Sequence, residues 1–208
     1  MVKIKFCGLR TPEEVRWAEE LKANFIGFNL YPKSPRYVSP DQMKELVTEA
    51  KSCQKVALFV NSEPDEIARL VKDCGLDLVQ LHGDESPEFC RKVKTRIGKP
   101  IIKAFRLATT KDLEVLKQYR ETVDYFLLDT KSDKLYGGTG ETFPWDLAVQ
   151  AKRFHRPIFL AGGLTPENVT EACRQVNPFA VDVASGVEEK TGLKSREKMS
   201  LFVRNARN

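Results

Sequence analysis

Short apolar runs alternate with amphipathic stretches from one end of the chain to the other. Val2–Cys7, Phe25–Tyr31, Lys55–Val60, Leu78–His82, Pro100–Leu107, Tyr125–Thr130, Pro157–Ala161 and Ala180–Ala184 read as strands, compact and rich in branched and aromatic residues. Between them, segments of helical period begin at Pro12 (running to Ala23), Pro40, Pro64, Pro87, about Thr110, near Pro144, at Pro166 and at Arg196. Thr11-Pro12, Ser39-Pro40, Ser86-Pro87 and Thr165-Pro166 each set a hydroxyl before a proline. The hydroxyl can accept an amide that a first helical turn leaves orphaned, and the proline takes a position that needs no donor.

The pattern makes about eight strand–helix units, spaced roughly 22 to 32 residues apart. Strands separated by single helices restart from the same end and so run parallel. Eight such units without a hairpin signal predict an α/β fold, a closed (β/α)8 TIM barrel, with residues 1–208 as a single domain. The rival is an open doubly wound sheet. That fold has fewer strands and often a GxGxxG loop after the first one, which this sequence lacks.

Alternation then sorts the strand faces. Lys3, Lys5 and Cys7 share a face opposite Ile4 and Phe6, and Tyr125, Leu127 and Asp129 share a face opposite Phe126 and Leu128. One face of each strand meets the helices, so the polar residues belong on the barrel axis. Closure sets strand 8 beside strand 1. Asp182 of "VDVAS" is therefore expected to pair with Lys5 inside the barrel, because a buried charge is tolerable only with a partner.

Composition removes several classes of function. Apolar residues make up 41% and charged residues 30%, an ordinary globular balance with enough chain for a full core. No apolar run approaches the length that spans a bilayer, and the N-terminus lacks a signal-peptide pattern, so no membrane association and a cytoplasmic location are expected. Five scattered cysteines, no CxxC pair and two histidines argue against a disulfide scaffold or a structural metal site. The net charge of +5 is spread along the chain, which disfavours nucleic acid but suits a small anionic ligand.

In a barrel of this kind the C-terminal strand ends form the active face. That rule selects Cys7, Arg36 after strand 2, Gln80 and His82 of strand 4, Asp129, Gly162-Gly163 after strand 7, and Ser185-Gly186 after strand 8. Singly, each has a plainer reading as packing, turn or surface charge. Gathered on one rim they make a site. "LAGGLTPENV" and "VASGVEEKTG" bring glycines to loops 7 and 8, the usual phosphate position of the fold, where backbone amides can approach an anion.

Nearly the whole chain resembles the phosphoribosylanthranilate isomerase family of tryptophan biosynthesis. The resemblance is carried by "KFCGLR", "GFNLYPKSPRYVSP", "VALFVN", "LVQLHGDE", "LLDT", "YGGTGETFPW", "LAGGLTPENV" and "VDVASGVEEKTGLK". It implies a (β/α)8 barrel that needs no cofactor or metal. It also implies the Amadori rearrangement of N-(5-phosphoribosyl)anthranilate to 1-(2-carboxyphenylamino)-1-deoxyribulose 5-phosphate. By the same resemblance Asp129 is the general acid, Cys7 the general base and Arg36 the carboxylate-binding arginine. The phosphate amides fall around Gly162, Gly163, Ser185 and Gly186, with Gln80 and His82 as further ligand-facing candidates. "KLYGGTGE", Lys134 to Glu141, looks like a flap hinged on glycines.

A thiol is mostly protonated at neutral pH, so the assigned base has to be activated, and the assigned acid has to be held protonated. Ala184, Ser195, Leu30 and Asn29 depart from the family pattern. A monomer or homodimer is expected. The alternatives are another phosphosugar isomerase of the histidine-pathway kind, which typically uses two aspartates, and a catalytically silent phosphate-binding barrel.

Overall fold

The computed structural model describes residues 1–130 and 144–208. The flap expected over Lys134–Glu141 lies outside the described residues. Strands β1 (Lys3–Cys7), β2 (Phe25–Asn29), β3 (Gln54–Phe59), β4 (Leu78–Leu81), β5 (Ile101–Leu107), β6 (Tyr125–Thr130), β7 (Ile158–Leu160) and β8 (Ala180–Val183) close in chain order into one parallel barrel. β8 pairs with β1 in a register that sets Asp182 directly opposite Lys5. Around it run α1 (Pro12–Glu20), α2 (Pro40–Thr48), α3 (Pro64–Cys74), α4 (Pro87–Ile97), α5 (Leu116–Tyr119), α6 (Trp145–Ala151), α7 (Val169–Val176) and α8 (Arg196–Arg207). Beyond β8 a short antiparallel pair, β9 (Glu188–Lys190) and β10 (Leu193–Lys194), folds over the C-terminal end of the barrel. No helix among the described residues is long and apolar enough to cross a membrane.

Three of the four hydroxyl–proline starts behave as the sequence predicts. Thr11, Ser39 and Ser86 each accept a backbone N–H at 3.2 Å, from Glu14, Gln42 and Phe89 respectively. The fourth differs. After Thr165 the chain makes a turn through Pro166–Asn168, and α7 begins only at Val169. Asn168 is the reason: its Oδ1 accepts the Thr165 N–H at 2.8 Å and its Nδ2 donates to the Gly163 carbonyl at 2.9 Å. That side chain offers the backbone an alternative to the first helical turn. The helix expected from Thr110 likewise opens as a 3-10 turn, Thr110–Val115, before α5.

The two strand faces fill two separate cores. Ile4, Phe6, Ile26, Phe28 and their counterparts point outward against the helices. Phe25, Val56, Leu78, Ile102, Leu127, Phe159 and Ala180 fill the barrel itself. The N-terminal end of the barrel is closed by aromatic rings. Phe25 meets Phe159 edge-on at 5.2 Å, Tyr125 meets Phe159 at 5.4 Å, and the Lys3 ammonium lies 4.5 Å from the Phe179 ring. Towards the C-terminal strand ends the inward positions turn polar, with Lys5, Gln80 and Asp182 all buried.

Candidate active site

Cys7 ends β1 on the inward face, with Lys5 two residues before it. Lys5 is fully buried and its Nζ lies 2.8 Å from Asp182 Oδ1, the pairing that alternation and closure predict. Burial works to strip the proton from this ammonium, but the Asp182 carboxylate and, after it, Cys7 together outweigh burial and hold the Lys5 pKa above its ordinary value. Gly27 of β2 stands opposite Cys7. A Cβ there would sit 3.1 Å from the Cys7 sulfur and 3.3 Å from Lys5 Cε, so thiol and lysine stem crowd over one glycine. Burial pushes the Cys7 thiol above its ordinary value; the ammoniums of Lys5 and Lys194 pull it down without overcoming that, while Asp182 adds to the rise. The expected activation is therefore only half built: two cations face the sulfur, yet it rests as a thiol.

Asp129 lies on the inward face of β6, about one-third exposed, with His82 Nε2 4.0 Å from its Oδ2. The His82 ring is fixed from behind by Gln80, whose Nε2 is 2.9 Å from Nδ1. With the Gln80 amide as donor, Nδ1 accepts and the ring proton sits on Nε2, the side of Asp129. Burial first, then the charges of Arg106, Lys103 and Lys5, drives the His82 pKa down to about 3, so the ring is neutral. Lys5 thus acts on both Cys7 and His82, and strands β1, β4 and β6 open onto one interior. Gln80 Oε1 is buried without a partner among the described residues.

Arg36 follows β2 on a loop held by Asn29, whose side chain bonds the Ser34 hydroxyl and the Tyr31 N–H. This explains a polar residue at the end of an otherwise apolar strand. The Arg36 stem crosses directly above Gly8. Gly8 has φ +74°, and a Cβ there would come within 2.7 Å of Arg36 Cδ, so only glycine suits the position. The guanidinium already holds a carboxylate of the chain itself. Its Nε and Nη2 donate to the two oxygens of Glu188 at 2.6 and 2.8 Å. Lys194 also donates to Glu188, at 2.9 Å, and to the Ala184 carbonyl at 2.9 Å.

The glycines of loops 7 and 8 meet at the same rim. Gly162 and Gly163 both take positive φ, and Ser185–Val187 form a 3-10 turn. A Cβ on Gly186 would collide with the Leu164 carbonyl, so the two loops lie against each other. Among the described residues no group of three or more histidines, cysteines and carboxylates is disposed to hold a metal ion.

Glu188 and Lys194 are the residues that sequence reasoning passed over. Both stand beside the glycines of "SGVEEKTGLK", and their side chains are fully or nearly buried. A charge pair six residues apart flanking a turn glycine was the available signal.

A family model described as N-(5'-phosphoribosyl)anthranilate (PRA) isomerase matches residues 4–205. An N-(5'-phosphoribosyl)anthranilate isomerase of Geotalea uraniireducens is 46% identical over 208 residues, covering 100% of this chain and 99% of the relative. A structure of monomers of the dimeric phosphoribosylanthranilate isomerase of Thermotoga maritima superposes with a TM-score of 0.88 at 39% identity, covering 100% of this chain and 99% of the other. Another phosphoribosylanthranilate isomerase, in complex with reduced 1-(o-carboxyphenylamino)-1-deoxyribulose 5-phosphate, gives 0.89 at 38% identity with the same coverage.

Proposed function

The chain belongs to the N-(5'-phosphoribosyl)anthranilate isomerase family, and from that premise we propose that Cys7 and Asp129 are the base and the acid of its reaction. The activity is an aldose–ketose isomerisation of the Amadori type, a step of tryptophan biosynthesis. Asp129 gives its proton to the ribose ring oxygen, the C1–O bond breaks, and the nitrogen lone pair forms the Schiff base. The Cys7 thiolate removes the proton from C2, and the electron pair returns to nitrogen through the new C1–C2 double bond. In the resulting enolamine the C2 hydroxyl becomes the ketone as C1 takes up a proton. Asp129, left as a carboxylate, has the neutral His82 Nε2–H facing it, a donor placed where charge develops.

The observation that carries the reading is the shared interior. Lys5 acts electrostatically on Cys7 and on His82, and His82 stands 4.0 Å from Asp129. A pentose reaching down the axis from the rim would meet a sulfur on one wall and a carboxyl on another. The remaining roles follow the ligand's charges. Arg36 takes the anthranilate carboxylate on its unspent Nη edge, the amides of Gly162, Gly163, Ser185 and Gly186 take the phosphate, and Gln80 and His82 line the sugar. The same proposal has the protein working in the cytoplasm as a monomer or homodimer, on a small anionic substrate.

The test is turnover. With substrate generated in situ and its anthranilate fluorescence followed, Cys7→Ser and Asp129→Asn should each lose about 10²–10⁴ in kcat, the range of general acid–base catalysis. Near-wild-type turnover in either variant sinks the assignment of that residue.

A further inference from the structure

We infer that Glu188 is a positioning residue for the substrate's carboxylate, acting through Arg36. The inference rests on the role given to Arg36 above and adds what makes that role possible. An arginine on a loop carries considerable rotamer freedom, and a ligand would have to immobilise it at each binding event. Here the immobilisation is built in. Glu188 grips Nε and Nη2 of Arg36 in a bidentate pair at 2.6 and 2.8 Å, and Arg36 is only 13% exposed.

Glu188 is itself held. Lys194, with no solvent exposure, shares its Oε1 at 2.9 Å, and the Lys198 Nζ bonds the Glu188 carbonyl at 2.7 Å. Glu14 fixes the Lys194 backbone by accepting its N–H at 2.8 Å. The chain of restraint thus runs from α1 through β10 and β9 to the arginine. Burial opposes a charge on Glu188, but the bonds and charges of Arg36 and Lys194 outweigh it and keep its pKa below the usual carboxylate range.

The cluster holds Arg36 and Lys194 around one carboxylate; burial lowers the Lys194 pKa while Glu188 opposes that fall. The Nε–Nη2 edge of Arg36 is spent on Glu188; among the described residues the opposite Nη edge makes no bond, and that is the edge a second carboxylate would meet. Gly8, adjoining Cys7, is the floor on which the Arg36 stem rests. Carboxylate recognition and proton abstraction are thereby held in one frame, and a shift of Arg36 would displace the bound ligand's aromatic end relative to the base.

The experiment compares two probes by titration calorimetry: reduced 1-(o-carboxyphenylamino)-1-deoxyribulose 5-phosphate, and the phenylamino counterpart that lacks only the carboxylate. Glu188→Gln should weaken the carboxylated probe about tenfold and leave the other within about twofold. Arg36→Met should show the same selectivity. If Arg36→Met is selective and Glu188→Gln weakens both probes equally, or neither, the positioning role of Glu188 is overturned. If Arg36→Met is not selective, the carboxylate role of Arg36 fails and the inference falls with it. Glu188→Gln leaves a buried ammonium short of its partner, so Glu188→Gln/Lys194→Met, which removes that ammonium, repeats the comparison in a variant without the orphaned charge. Equal weakening of both probes there overturns the inference as well.

Discussion

The two ends of the barrel interior are lined by the same alternating strand positions and do opposite things. At the N-terminal end Phe25, Tyr125, Phe159 and Phe179 interlock, with the Lys3 ammonium over the Phe25 and Phe179 rings. Towards the C-terminal end the inward positions carry Lys5, Cys7, Gln80, Asp129 and Asp182. Apolar rings gain free energy by leaving water and demand nothing of their neighbours but shape. Each buried polar group needs a partner, and at this end the partners are arranged so that some capacity is left over. Among the described residues Gln80 Oε1 is unpartnered and Arg36 keeps an Nη edge without a bond, and Lys5 and Lys194 both act on the Cys7 thiol. One end spends its side chains on the fold, and the other holds chemistry in reserve.

The contrast breaks most sharply under two truncations. Cys7→Ser should cost up to about 10⁴ in kcat while changing Tm by no more than about 2–4 °C, because the sulfur-to-oxygen swap removes no packing volume of note. Phe159→Ala should do the reverse. It empties a fully buried site between three rings, costing about 3–5 kcal/mol of stability, with kcat measured well below the new Tm staying within about threefold of wild type. Urea unfolding and a turnover assay on the same preparations read both. If the two variants lose the same property, the division between the ends is wrong.

The Lys5–Asp182 pair sharpens the same comparison, being both structure and site. Asp182→Asn leaves a fully buried ammonium without its partner and should cost about 3–5 kcal/mol. Lys5→Met/Asp182→Asn removes both charges and should regain most of that stability. It should not regain activity, because losing the pull of Lys5 on the sulfur outweighs losing the opposing push of Asp182, and the thiol pKa rises further. The wild-type kcat/KM should keep rising with pH past neutrality, since the thiol starts above its ordinary range. In the double variant that ascending limb should move to still higher pH. A double variant with an unshifted pH–rate profile would remove Lys5 from the tuning of the base.

How much of this was legible in the sequence follows from how local each feature is. The eight units, their order and three of four helix starts depend on neighbours in sequence, and all can be read from periodicity and from Thr11, Ser39 and Ser86. The Lys5–Asp182 pair spans the whole chain yet was readable, because barrel closure and a period of two leave those side chains no other place. Asn168 was not readable as the side chain that delays α7, since its two partners depend on the loop's final shape. Nor was Glu188, whose meaning depends on an arginine in a loop at the other end of the chain. The direction of the Cys7 shift was also hidden: alternation sets Lys5 beside the sulfur, but only burial decides which effect wins.

The smallest effect tests whether the polar end is tuned or merely polar. His82 is held neutral by burial and by Arg106, Lys103 and Lys5, with the Asp129 carboxyl facing it and Gln80 bonded behind it. Its pKa lies near 3 in the folded chain and near the ordinary 6.5 in the unfolded one. Between those values the unfolded state binds a proton that the folded state does not. Stability must therefore fall as pH drops through that window, by at most about 1.4 kcal/mol per pH unit from this residue. The ring's side chain is 18% exposed, and solvent screening keeps the real slope below that ceiling. In His82→Asn the amide oxygen can still accept from Gln80 and the titration is gone, so unfolding free energies measured from pH 7 to pH 4 should fall less steeply than in wild type. Parallel curves would mean that the cations around His82 do not act on it, and that the C-terminal end is polar without being organised.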